Sequence, residues 1–133
     1  MPGLEAVEVS KRFEREGRQI AALERISLSV SEGEFVTIVG PSGCGKSTFL
    51  HMVGGFEPIT EGSISLAGER VRGPAPDRGM LFQDYALFPW LSVLGNVSWA
   101  LEARGHPKAE RALRARQQLD RVGLSAFADA YPA

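Results

Sequence analysis

The chain has 133 residues and a net charge of −1, from 15 Lys and Arg against 16 Asp and Glu. A chain so nearly neutral has no overall positive potential to attract nucleic acid or acidic lipid. Its one cysteine, Cys44, excludes a disulfide framework and favours a reducing compartment. Hydrophobic residues make up 44% of the chain, and no apolar run approaches the ~20 residues of a membrane span. The composition therefore predicts one globular domain or part of one.

The first thirty residues predict antiparallel β-structure. Apolar and polar residues alternate at 7–9 and again at 26–30, which is typical of half-buried strands. The charged residues 11–18 between them predict a turn region. A second turn, residues 31–34, leads into an apolar strand at 35–39, whose composition fits a strand covered on both faces.

Shorter elements follow in the middle of the chain. We expect a helix at 47–53, stopped by Gly54 and Gly55, then an alternating strand at 63–66. A proline-containing loop leads to a short apolar strand at 80–82. Beyond it the chain becomes helical. Ser92 is the expected N-cap of a helix to about residue 104, and Pro107 opens a second helix that ends at Gly123, with its arginines on a solvated face.

Residues 40–48 match the P-loop pattern G-x-x-x-x-G-K-[ST] directly after the apolar strand, which is the context that a phosphate-binding loop requires. Gly40, Gly43 and Gly45 are expected to take positive φ and to let the backbone approach a polyphosphate. The N–H groups at the start of the following helix then favour an anion. The residues assigned to nucleotide binding are Gly40, Pro41, Ser42, Gly43, Cys44, Gly45, Lys46, Ser47 and Thr48.

The side chains that end the loop have separate expected roles. Lys46 reaches the β- and γ-phosphates, the Ser47 hydroxyl ligates Mg²⁺, and Thr48 lies near the α-phosphate. The pattern thus predicts binding of a nucleoside triphosphate.

Three further features stay open from the residues alone. Gln83 follows an expected strand and is either a polar loop residue or a group that contacts Mg²⁺ or a water. Phe13 is either a core residue or a platform for a nucleobase. Residues 85–91, from Tyr85 to Leu91, are rich in apolar side chains and form either an interaction surface or the packing between two subdomains.

Together these residues resemble an ATP-binding cassette (ABC) ATPase over essentially the whole chain. The resemblance implies an α/β P-loop NTPase fold, with an antiparallel β subdomain and partial P-loop core at residues 1–91 and the start of a helical subdomain at 92–133. It implies that Phe13 stacks on adenine and that Gln83 is the Q-loop glutamine, which contacts Mg²⁺ and water. ATP and Mg²⁺ are the implied cofactors, Lys46 and Gln83 the catalytic residues, and Ser47 and Gln83 the metal contacts.

The segments 76–83 and 87–93 resemble the branch that serves nitrate, sulfonate and taurine importers. This implies an ATP-binding subunit at the cytoplasmic face of the cell membrane, held there through a transmembrane permease that residues 85–91 contact. A second ATP-binding subunit and an upstream solute-binding protein are further implied partners; nucleic acid is not.

The family's Leu-Ser-Gly-Gly-Gln signature, its Walker B aspartate with the catalytic glutamate, and its switch histidine have no counterpart in these 133 residues. We therefore expect the N-terminal half of a cassette, inactive as an ATPase by itself. Two alternatives remain: a non-catalytic nucleotide-binding remnant, and a soluble ABC ATPase without a transport role. The near-neutral charge and the apolar 85–91 segment favour the transporter.

Overall fold

A computed structural model describes residues 2–84 and 86–132, so Tyr85 lies outside the described residues. The chain divides into two compact units, Met1–Leu81 and Phe82–Ala133. This division falls ten residues before the boundary at 91/92 that the sequence suggested between its subdomains, and that boundary stays a prediction.

The first unit is built on a four-stranded antiparallel sheet. Its strands are β1 (Pro2–Arg15), β2 (Arg18–Ser31), β3 (Glu61–Leu66) and β4 (Glu69–Arg70), in the spatial order β2-β1-β3-β4. The predicted antiparallel β-structure of the first thirty residues is therefore confirmed.

The predicted turn region at 11–18 is mostly strand, and that expectation was wrong. The chain reverses over two residues only, Glu16 and Gly17, whose φ values of 53° and 73° are both positive. Two positive φ values define the tight turn that matches the twist of a β-hairpin. The charged side chains around it are solvated at the exposed tip, so they do not prevent strand pairing.

A helix, α1 (Lys46–Gly54), packs on the sheet and closes the hydrophobic core of this unit. Its boundaries extend the predicted helix by one residue at each end. Gly55 ends it with φ of 79°, and its N–H bonds the Met52 carbonyl, a C-terminal cap that glycine favours. The buried core consists of Ala6, Val9, Phe49, Met52, Ile64 and Val71.

Two predicted strands do not form. Residues 35–39 and 80–82 join no ladder in the part of the chain that the structure describes, and Phe35 is 92% exposed. Their apolar composition is typical of strands buried between neighbours on both sides. A strand needs partners for its backbone N–H and C=O groups, and no described strand lies alongside either segment.

The second unit is helical, as predicted. It contains α2 (Val93–Ala103), α3 (Lys108–Arg121) and a short 3₁₀ turn (Ser125–Phe127). Ser92 caps α2 as expected, because its hydroxyl accepts a hydrogen bond of 3.1 Å from the Gly95 N–H. Pro107 immediately precedes α3 instead of occupying its first turn. Among the described residues, no helix has the length and apolar character needed to cross a membrane.

Candidate functional site

The P-loop is an exposed loop that ends where α1 begins. Gly43 and Gly45 have φ of 80° and 94°, in the left-handed region that favours glycine. The first hydrogen bond of the helix runs from the Phe49 N–H to the Gly45 carbonyl. The N–H groups of the first helical residues, 46–48, therefore lack intrahelical acceptors and are directed out of the helix end, where an anion is favoured.

Gly40 has a different role from the predicted one. Its φ is not positive, so the conformational argument for this glycine was wrong. What matters there is space: a Cβ on Gly40 would lie 2.9 Å from the Cys44 Sγ. The missing side chain leaves room for the Cys44 sulfur beside the Gly40 backbone.

Lys46 is held inside the curve of the loop. Its ammonium donates hydrogen bonds to the carbonyl oxygens of Gly40, at 2.8 Å, and Pro41, at 2.7 Å, and lies 3.5 Å from the Cys44 Sγ. These acceptors are neutral. A phosphate oxygen is a charged acceptor and makes a stronger bond with an ammonium, so an arriving polyphosphate can replace them.

The loop also lies against β2. A Cβ on Gly45 would approach the carbonyl oxygen of Ala22 to 2.7 Å. This contact fixes the end of the P-loop to a strand of the sheet.

Phe13 lies near that contact. It pairs with Ile20 across the β1–β2 hairpin, while Lys11 pairs with Leu23, the neighbour of Ala22. Three residues along a strand correspond to roughly 10 Å, so Phe13 lies within about that distance, along the hairpin, of the P-loop contact. The ring is 39% exposed. The structure thus brings Phe13 and the P-loop to the same end of the hairpin and leaves the ring accessible to a ligand.

Gln83 is an exposed residue of the second unit and follows no strand, since residues 80–82 form none. Its contact with Mg²⁺ and water stays a prediction.

The segment 87–91 is an ordered apolar surface. Phe88 stacks edge-on against Trp99, with ring centroids 4.7 Å apart, and lies 5.3 Å from the Trp90 ring. Leu87 and Trp90 are 52% and 70% exposed. The segment therefore presents apolar side chains to solvent while its centre is packed against α2.

Sequence reasoning missed the residue that holds this segment, Asn96. Its side chain is buried in α2; the Oδ1 accepts from the Phe88 N–H at 2.8 Å, and the Nδ2 donates to the Phe88 carbonyl at 3.1 Å. The same amide lies 3.1 Å and 3.0 Å from the carbonyls of Leu91 and Ser92. The signal was present in the sequence, because an asparagine inside an apolar helix needs partners for its amide.

The described residues contain no group of three His, Cys, Asp or Glu side chains that could hold a metal ion. Mg²⁺ nevertheless fits the P-loop, because this ion keeps several waters and is usually held by one or two protein oxygens together with substrate phosphates. The exposed Ser47 hydroxyl at the start of α1 is such an oxygen.

Residues 23–132 match a family model described as ABC transporter. The chain is 45% identical over 129 residues to the taurine import ATP-binding protein TauB of Pseudomonas aeruginosa, an alignment that covers 97% of this chain and 49% of that protein. It is 46% identical over 130 residues to the spermidine/putrescine import ATP-binding protein PotA of Roseobacter denitrificans, covering 96% of this chain and 36% of that protein.

The fold is shared with the ATP-binding cassette MJ0796, solved as a dimer in a post-hydrolysis state with ADP and phosphate bound. The TM-score is 0.85 at 32% identity, over 97% of this chain and 61% of that chain. The match confirms the predicted cassette fold. The chain spans about half the length, 48% and 49%, of the first curated relatives it matches.

Proposed function

The chain belongs to the ABC transporter family, and from this premise we propose that it carries the ATP-binding face of an importer's ATPase subunit. The observation that carries the proposal is the P-loop itself. Two glycines with left-handed backbone lead into the N-terminus of α1, and the Lys46 ammonium lies inside the loop curve. This arrangement gathers N–H donors and one positive charge around a single concavity, which suits a polyphosphate.

Nucleotide binding then follows from the chain's own groups. The N–H groups at the start of α1 bind phosphate oxygens, and Lys46 exchanges its bonds to the Gly40 and Pro41 carbonyls for bonds to the β- and γ-phosphates. Ser47 supplies a hydroxyl to Mg²⁺, and Thr48 contacts the α-phosphate. Mg²⁺, when bound, neutralises charge that develops on the transferred phosphoryl group.

The base is assigned to Phe13. Its accessible ring and its place beside the strand that contacts the P-loop both support stacking on adenine. Every nucleobase offers a π-face, so an aromatic ring is a suitable platform.

Hydrolysis is proposed for the complete subunit. Lys46 would stabilise charge on the γ-phosphate, and Gln83 would orient the attacking water and contact Mg²⁺. In-line phosphoryl transfer further needs a Walker B aspartate and, beyond Lys46, additional donors around the γ-phosphate; the Walker B and signature motifs have no counterpart in these 133 residues.

The proposed partners are a transmembrane permease, contacted through residues 85–91, a second ATP-binding subunit and an upstream solute-binding protein. The exposed Leu87 and Trp90 support the first of these. The dimeric assembly of the MJ0796 cassette supports the second. Through the permease the subunit would lie at the cytoplasmic face of the cell membrane.

We propose a small anion such as nitrate, sulfonate or taurine as the solute. The support is the resemblance of the segments 76–83 and 87–93 to that branch and the name of the TauB relative. The PotA relative, at similar identity, is named for spermidine and putrescine, so overall identity does not distinguish the two kinds of solute. The proposal of a small anion therefore rests mainly on the segments 76–83 and 87–93. Uptake assays with the complete transporter, comparing taurine, nitrate and spermidine, test it.

Binding of Mg-ATP by calorimetry tests the assignment of the site. Lys46→Met should weaken binding roughly tenfold to a hundredfold, since a hydrogen bond to a charged group contributes about 1.5–3 kcal/mol. Lys108→Met, which removes a lysine at the start of α3 in the other unit, is the matched control and should bind normally. Equal affinity in the two variants would refute the assignment of the P-loop lysine.

A further inference from the structure

Lys11 is a buried lysine in β1, only 6% exposed. A lysine is almost never buried unless its ammonium is paired. Here the Nζ donates to the Pro58 carbonyl at 2.7 Å and forms an ion pair with the Glu57 carboxylate. The same Nζ lies 4.8 Å from the centroid of the Phe13 ring. One face of the proposed base platform is therefore occupied by a cation whose position is fixed by two other residues.

The residues that hold Lys11 belong to a segment, 57–61, that follows α1 and forms hydrogen bonds and ion pairs with β1. The Thr60 N–H donates to the Ser10 carbonyl at 3.0 Å, and the Arg12 N–H donates to the Thr60 Oγ1 at 3.0 Å. The Arg12 guanidinium also pairs with Glu61 at 2.6 Å. These contacts surround Lys11 on both sides along the strand.

These contacts between the 57–61 segment and β1 matter because the strand ladder is irregular at this point. The β1–β2 register shifts between Val9 and Lys11 and again between Lys11 and Arg12. The β1–β3 register shifts between Val7 and Ser10. Regular ladder pairing is therefore interrupted on both sides of Lys11, and the Lys11 ammonium and the 57–61 segment add contacts that hold the strand just before Phe13.

We propose that Lys11 is a positioning residue for the nucleobase, acting through Phe13. Its ammonium holds one face of the ring by a cation–π interaction and leaves the other face for adenine. The cation also draws electron density from the ring, which makes the free face more complementary to an electron-rich purine. The inference rests on the proposed stacking of adenine on Phe13 and adds the residue that orients the platform.

Such a role has a signature that simple structural support lacks. A residue that acts on the base platform alters the binding of ligands that carry a base and leaves the binding of the polyphosphate alone. Residues that merely support the unit would alter both, because the P-loop contacts the same hairpin through Gly45.

The experiment compares Mg-ATP with inorganic triphosphate and Mg²⁺ as ligands of the full protein. Lys11→Met keeps the aliphatic stem and removes the ammonium. We expect the affinity for ATP to fall by roughly twofold to thirtyfold, the range of a cation–π interaction, and the affinity for triphosphate to stay within about twofold. Because this variant leaves the Glu57 carboxylate without its partner, Lys11→Met/Glu57→Gln is measured beside it and should show the same selective loss.

Arg15→Met is the matched control. It removes an exposed cation two residues beyond Phe13 on the same strand, paired with Arg18 beside the hairpin turn, and it should not change the ratio of ATP to triphosphate affinity. In a Phe13→Ala background, Lys11→Met should cause no further selective loss, since the ring through which it acts is gone.

The outcomes distinguish a failure of the Lys11 inference from a failure of the proposed base platform at Phe13. Equal losses for ATP and triphosphate in both Lys11 variants overturn the positioning role, as does unchanged ATP affinity in Lys11→Met when Phe13→Ala binds ATP weakly. Unchanged ATP affinity in Phe13→Ala overturns the proposed base platform itself, and the Lys11 inference with it.

Discussion

Gly45 and Ala22 are in direct contact: a Cβ atom on Gly45 would lie 2.7 Å from the Ala22 carbonyl oxygen and 2.8 Å from the Leu23 Cδ2. The carbonyl belongs to β2, where the pairs Arg12–Ala21 and Lys11–Leu23 flank Ala22 on both sides and limit its movement. Glycine is thus required at the end of the P-loop both for its left-handed backbone and for the space that its missing side chain leaves.

Gly45→Ala should lower the free energy of unfolding by about 2–5 kcal/mol, the sum of left-handed strain and overpacking. Gly17→Ala is the control, because Gly17 also has positive φ but a Cβ there meets nothing within 4 Å. Gly17→Ala should lower the free energy of unfolding only by the left-handed strain, about 1–2 kcal/mol. Urea denaturation of both variants measures the difference, and equal costs would contradict the close approach.

Phe13→Ala should weaken ATP binding by about 1–3 kcal/mol, taking base–aromatic stacking as the guide. Phe13→Tyr keeps the ring and should bind normally. Ile20 pairs with Phe13 across the hairpin and is also exposed, so Ile20→Ala controls for a general loss of apolar surface. Calorimetric titration with ATP decides: if Phe13→Ala and Ile20→Ala bind alike, Phe13 is a structural residue.

Asn96→Leu should release the 87–91 segment from α2, because the Phe88 N–H and carbonyl lose the Asn96 amide with which both are paired. Leaving such groups unpaired costs about 1–3 kcal/mol each. The Ser92→Ala variant removes only the helix cap and should cost about 1 kcal/mol. Tryptophan fluorescence reports on Trp90 and Trp99 directly. A spectrum and a denaturation midpoint like those of Ser92→Ala would contradict the role of Asn96 in holding the 87–91 segment.

A cysteine at Leu87, in a Cys44→Ser background, should crosslink to the permease in the assembled transporter. The reason is that this exposed apolar side chain lies within the proposed contact surface. A cysteine at Leu113, which is on α3 and is exposed at least as much as Leu87, is the matched control and should not crosslink to the permease. Crosslinking of the permease from both positions, or from Leu113 alone, would show that the permease contact is not specific to residues 85–91.

The 133 residues by themselves should not hydrolyse ATP. Of the groups that phosphoryl transfer needs, the proposed site includes Lys46, Ser47 and Gln83 but no Walker B aspartate. Steady-state phosphate release is measured against Lys46→Ala, which reports contaminating ATPases. Turnover above this background at roughly one per second, a common enzymatic rate, would mean that other residues of the chain complete the site.

Two glycines of the P-loop and the second strand of the hairpin were predictable because each depends on local sequence. A left-handed backbone favours glycine, which marks Gly43 and Gly45, and alternation of apolar and polar residues marks β2. The cap at Ser92 was predictable for the same reason, since its hydrogen bond spans three residues.

Other features depend on contacts between distant residues and were not predictable. Periodicity shows that residues 35–39 are apolar but not whether a neighbouring strand is present to pair with them. Lys11 looked like part of a charged turn, because its burial depends on Glu57 and Pro58, more than forty residues later. Polar residues inside a fold are identified by their partners, and partners far along the chain leave no local pattern.

The unpaired segment at residues 35–39 has a practical consequence for solubility. Phe35 and Val39 face water, and residues 35–38 border an open apolar groove of about 640 Å³ between β2 and α1. Apolar surface of this kind associates more strongly as sulfate or phosphate is added, because these salts are excluded from protein surfaces. Preparations of this chain should therefore stay dispersed in dilute chloride buffers. As sulfate or phosphate is added, they should self-associate at salt concentrations at which the β1–β2 hairpin remains folded.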